Sequence, residues 1–128
     1  MHDILIAEEH PEAQKMMAEI CSEAGFRVTV TSSVAELLQW MFKKTAGVIL
    51  LASTFDELTA LDLVPLLRQR CRDLPVILVS NEMPLPTIRK MRKEGIFYHL
   101  LKPILAQDKD ELQQVIRCAL DQSRRCYC

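Results

Sequence analysis

The strongest constraint in this sequence is an alternation of two hydrophobic periods. Short runs of consecutive apolar residues trade places, five times over, with longer stretches whose apolar residues recur at helical spacing. Ile4-Leu5-Ile6-Ala7 is the first run and stops at charge. Pro11 to Ala24 then carries Met16/Met17, Ile20/Cys21 and Ala24 on one helical stripe, with Gly25 placed as a C-cap. Arg27-Val28-Thr29-Val30 is a short β-branched run. Ser33-Val34-Ala35-Glu36 has capping-box spacing ahead of Leu37, Leu38 and Met41. Val48-Ile49-Leu50-Leu51 is the third run, followed by a helix over Leu61 to Arg70 in which Pro65 requires the helix to begin close before it. Pro75-Val76-Ile77-Leu78-Val79 is the fourth run, and Thr87 to Glu94 a short basic helix closed by Gly95. Phe97 to Leu101 is the fifth, ended by Pro103; a last helix opens at Asp108-Lys109-Asp110-Glu111 with Leu112, Val115, Ile116, Ala119 and Leu120 inward.

Continuous apolar strands are those buried on both faces, which is the signature of parallel sheets. Strand and helix in strict alternation predict an α/β fold: a five-stranded parallel doubly wound sheet with five helices in three α/β/α layers. The 128 residues suit a single domain over 1–128, long enough to bury its own core. Sixteen Lys+Arg against seventeen Asp+Glu leave no electrostatic footprint for nucleic acid, so direct nucleic-acid binding is not expected. No apolar run approaches the ~20 residues of a membrane span, and Met1-His2-Asp3 has no basic leader region; a cytoplasmic protein is the expectation. Five scattered cysteines, Cys21, Cys71, Cys118, Cys126 and Cys128, read as reduced thiols, with Cys21 and Cys118 packed on helix faces. The three glycines form no phosphate-cradling loop, which counts against a small nucleotide- or flavin-type binder or enzyme on the same architecture.

A doubly wound sheet works at the C-terminal ends of its strands. There the sequence places Glu8, Glu9 and His10 after the first strand, and Ala52, Ser53 and Thr54 after the third. Ser80 and Asn81 follow the fourth, and Lys102 and Pro103 the fifth. Carboxylates, a hydroxyl and a lysine at one crevice suit Mg²⁺ and a phosphoryl group.

Those residues resemble the receiver domains of bacterial two-component response regulators over essentially the whole chain. Ile4-Leu5-Ile6-Ala7-Glu8-Glu9-His10 is similar to the family's first strand and acidic pair, and Pro75-Val76-Ile77-Leu78-Val79-Ser80-Asn81 to its fourth strand. Gly95-Ile96-Phe97-Tyr98-His99-Leu100-Leu101-Lys102-Pro103 is similar to its Lys-Pro segment, in wording closest to receivers that precede enhancer-type transcriptional ATPases. The resemblance implies a flavodoxin-like strand order, 2-1-3-4-5. It also implies phosphate-contact and switch roles for Ser80, His99 and Lys102, and a partner surface at Arg89, Lys90, Arg92, Lys93 and His99. The partners it implies are a sensor kinase, an output domain or a sister receiver, including a homodimer.

The departures are as informative. The family's phospho-accepting aspartate falls on Ala52, whose methyl group cannot attack a phosphoryl donor. The acidic pair is Glu8-Glu9, each one methylene longer than aspartate, and with one anionic ligand missing the two should hold Mg²⁺ only weakly. Asp56 lies too far along to replace the acceptor, and Ser53 and Thr54 lack a base. No cofactor is implied, and His2 and His10 have no partners at metal-ligand spacing. His99 stands at the family's switch aromatic, where an imidazole brings pH sensitivity. The reading is a non-catalytic receiver acting by protein contact, possible transcriptional control lying in an attached or partner output domain. Against it stands a receiver phosphorylated on a non-standard residue. Lys102, deprived of its acceptor partner, is expected to pair with Glu8 or Glu9.

Overall fold

In a computed structural model the chain is described over residues 3–43, 46–70, 72–81, 83–101 and 106–125. The five expected strands are β1 (Asp3–Ala7), β2 (Arg27–Thr31), β3 (Ala46–Ala52), β6 (Val76–Ser80) and β7 (Tyr98–Leu101). Between β3 and β6 the chain forms two further short strands, β4 (Thr54–Phe55) and β5 (Leu58–Thr59). The five helices are α1 (Pro11–Glu23), α2 (Val34–Phe42), α3 (Ala60–Arg70), α4 (Leu85–Lys93) and α5 (Lys109–Arg125), the last entered through a 3₁₀ turn at Ala106–Asp108. The main sheet is wholly parallel in the order β2-β1-β3-β6-β7, which is the expected 2-1-3-4-5 once the hairpin strands are set aside.

The pleat of this sheet divides the apolar residues into two cores. Leu5, Ile49, Leu51 and Leu78 face Leu37 of α2, Leu63 and Leu67 of α3, and Met91 of α4. Their immediate neighbours Ile4, Ile6, Leu50 and Ile77 face Met17 and Cys21 of α1 and Ile116 of α5. Alternate residues of one strand therefore feed opposite cores, as a period of two requires. Each fully buried Leu or Ile contributes about 1.5–3 kcal/mol, and truncating one in the central strands to Ala costs roughly 2–5 kcal/mol.

Helix ends follow the local chemistry. Ser33 caps α2, its side chain accepting from the Glu36 N–H at 3.2 Å. Lys90, Arg92 and Lys93 crowd the last turn of α4, where cations meet the negative end of the helix dipole. Gly95 follows with φ of 97°, and a side chain there would come within 3.3 Å of the Arg68 guanidinium. Two expectations need correction. Pro65 is the sixth residue of α3, deep enough to remove one helical hydrogen bond, and packing of Leu63, Val64 and Leu67 holds the helix together around it. Cys118 is exposed on α5 rather than packed, because the inward stripe of that helix is already filled by Leu112, Ile116 and Ala119.

Candidate functional site

The strand ends converge as the topology demands. Ala52 closes β3 beside Val79 of β6, and Ser80 follows as the last residue of that strand. A cavity of about 700 Å³ opens there, lined by Glu8, His10, Ala52, Ser53, Thr54 and Asn81 together with the first residues of α1. Glu8, Ala52, Ser53, Thr54 and Asn81 are thus brought together at one crevice.

The two glutamates do not act as a pair. Glu8 is fully buried, and one of its carboxylate oxygens accepts from the Glu9 N–H at 3.0 Å. Its backbone carbonyl accepts from the Gln14 side-chain amide. Glu9 is exposed and turned toward the hairpin, where Oε1 accepts from the Asp56 N–H at 2.8 Å. Among the described residues no group of three or more His, Cys, Asp or Glu could hold a metal ion. With its two carboxylates divergent, this donor set does not fit a chelated divalent cation.

Ser80 is buried and its hydroxyl has two neighbours: the Asn81 carbonyl at 2.9 Å and His99 Nε2 at 2.7 Å. The hydroxyl has one proton, which goes either to the Asn81 carbonyl or to Nε2, so the neutral His99 tautomer and the Ser80 rotor are set together. His99 lies on β7 opposite Leu78, half-buried. Burial first, and Arg92 second, push its pKa below the ordinary histidine value. Arg89, Lys90, Arg92 and Lys93 are all exposed on α4 while Met91 between them is buried, so the basic residues form the outer face of the helix. Leu85 on α4 and Tyr98 and Leu101 on β7 are also exposed.

Burial pushes the Cys21 thiol up to about 12, which keeps it protonated and inert. His10 precedes α1 with no side-chain cap and is exposed. Lys102 and Pro103 lie outside the described residues, and with them the expected pairing of Lys102 with Glu8 or Glu9.

Two features of the crevice rim escaped the sequence reading. Gln14 reaches back from α1 to the Glu8 carbonyl and lies 3.4 Å from Ser32 Oγ. The β4–β5 hairpin brings Asp56 to α2, its carboxylate accepting from the Val34 N–H at 2.9 Å. The usual hairpin signal is an Asn-Gly or Asp-Gly pair, and the turn here is Asp56-Glu57.

Comparison with known proteins agrees with this architecture. The model of the Response regulator receiver domain family matches residues 4–117. The DNA-binding transcriptional regulator NtrC of Rhizobium meliloti is 28% identical over 122 residues, which is 95% of this chain and 25% of that protein. The phosphoglycerate transport system transcriptional regulatory protein PgtA of Salmonella typhimurium is 25% identical, over 98% of this chain and 31% of that protein. The chain thus spans about a quarter to a third of the length of these relatives. Among solved structures, a response regulator receiver domain protein from Clostridium thermocellum superposes with a TM-score of 0.85 at 21% identity, covering 98% of both chains.

Proposed function

This chain belongs to the response regulator receiver domain family, and we propose that it is a receiver that signals by protein contact without being phosphorylated. One observation carries the reading. The residue that closes the central strand at the crevice is Ala52, buried beside Val79, and its side chain offers neither nucleophile nor charge. The remaining crevice groups support it, since Glu9 is engaged with Asp56 instead of facing a cation with Glu8. Residues 1–128 act as one receiver-like unit in the cytoplasm. The outer face of α4, with Arg89, Lys90, Arg92 and Lys93, and His99 beside it, is the partner surface, suited by charge to an acidic protein face. Ser80 and His99 hold the positions that in this reading keep the switch in one state. The names of the NtrC relatives suggest an output in transcriptional control, supplied by another domain or by a partner; nucleic acid is not contacted by this chain itself.

Incubation with acetyl phosphate and Mg²⁺, followed by intact mass measurement, tests the proposal. An unchanged mass is expected. A phosphoryl increment localised to Ser53, Thr54 or Asp56 would replace it with the reading in which another residue accepts the group.

A further inference from the structure

The hairpin at the crevice rim is costly to build. Its two-residue turn places both Asp56 and Glu57 in the left-handed region, with φ of 52° and 67°, and neither is glycine. Such residues are strained and persist only where the surroundings over-determine them. Phe55, fully buried in the core below, anchors the inner side, and the Ala60 N–H to Ser53 carbonyl bond at 2.8 Å closes the base. What fixes the outer side is Asp56. Its N–H donates to Glu9, and its carboxylate accepts from the Val34 N–H at the first residue of α2. The carboxylates of Glu9 and Asp56 are each spent on a backbone N–H of a different segment.

We infer that Glu9 is a positioning residue of a latch: acting through Asp56, it couples the β1–α1 loop to the N-terminus of α2 and holds the β4–β5 hairpin in one arrangement beside the crevice. The two bonds share one residue, so they form and break together. The Val34 N–H bonds Asp56 rather than Glu9, so the influence of Glu9 there passes through the orientation of Asp56. The reach matters: the extra methylene of glutamate carries the carboxylate outward to the hairpin. Any group that draws Glu9 away releases the hairpin and the first turn of α2 at the same time. This inference is independent of whether the crevice is phosphorylated.

The test is amide hydrogen exchange, read residue by residue in the whole chain. In Glu9→Ala the amides of Asp56 and Val34 both exchange faster, by about five- to tenfold, the size of one exposed charge-assisted bond. Glu9→Gln keeps an oxygen at the same reach and leaves both amides within about twofold of the wild type. Glu9→Asp falls short and behaves like Glu9→Ala. The amide of exposed Lys90 on α4, whose local opening leaves the Glu9 bond intact, stays unchanged. An unaltered Val34 amide in Glu9→Ala overturns the coupling. So does a Glu9→Gln variant as disruptive as Glu9→Ala, or a Lys90 amide that speeds in step with the other two.

Discussion

At the scale of single residues, His99 offers the sharpest handle. Its pKa lies below the ordinary value because burial disfavours the imidazolium and Arg92 adds a like charge. Between its folded value and about 6.5 the unfolded chain binds more protons than the folded one. Its contribution to stability is therefore fully present above about pH 6.5 and is lost as pH falls through the folded value. In the imidazolium both ring nitrogens carry protons, so Nε2 donates to the Ser80 hydroxyl after titration. Acidification thus adds charge near Arg92 without breaking the Ser80 contact. The expected outcome is a melting temperature that falls on acidification below pH 6.5 more steeply in the wild type than in His99→Gln, which does not titrate. Equal slopes in the two proteins would dismiss His99 as the cause. The place of Ser80 at a strand end was legible, whereas its bond to His99 was not, since the partner lies on the neighbouring strand and cross-strand register is not written in either segment alone.

At the scale of elements, the helices of one face are tied through Arg68. Its guanidinium donates to the carbonyls of Arg72 at 2.9 Å and Leu74 at 2.6 Å, and to that of Gly95. One side chain near the end of α3 thereby satisfies the entry to β6 and the turn between α4 and β7. Three carbonyls in two loops lose their donor together if it is removed. Arg68→Ala is expected to destabilise by about 2–3 kcal/mol, and Arg68→Lys to recover less than half, because an ammonium cannot reproduce the planar fork. Urea unfolding of the two variants measures this; a loss under 0.5 kcal/mol for Arg68→Ala would mean that water replaces the fork without cost. Elements as such were readable because five continuous apolar runs and Gly25 and Gly95 punctuate the chain. The hairpin was not, because two-residue strands carry no period and Asp56-Glu57 has no glycine to announce positive φ.

At the scale of the whole molecule, the question is whether the fold responds to a phosphoryl-like ligand at all. The parallel sheet and the crevice at its strand ends followed from the alternation of strand and helix, and the strand order from the family resemblance, while the direction of the Glu9 side chain depended on a contact across 47 residues that no local pattern encodes. That contact and Ala52 point the same way. A ligand that binds only the native state at a hundred times its dissociation constant adds roughly 2.7 kcal/mol, which for a domain of this size raises the melting temperature by roughly 8–10 °C. With a methyl group at the centre of the crevice and Glu9 bonded to the hairpin, a phosphoryl-mimicking fluoride complex with Mg²⁺ lacks the set of carboxylates that would chelate its cation. No shift in melting temperature is expected. Ala52→Asp sharpens the test, for it puts a second carboxylate near the buried Glu8. Like charges at a poorly solvated site disfavour each other, so this variant melts below the wild type in the absence of added ions. If the mimic stabilises Ala52→Asp and not the wild type, residue 52 alone separates this chain from a switching receiver. A clear Mg²⁺-dependent rise in the wild type itself would overturn the phosphorylation-independent reading at the level of the entire molecule.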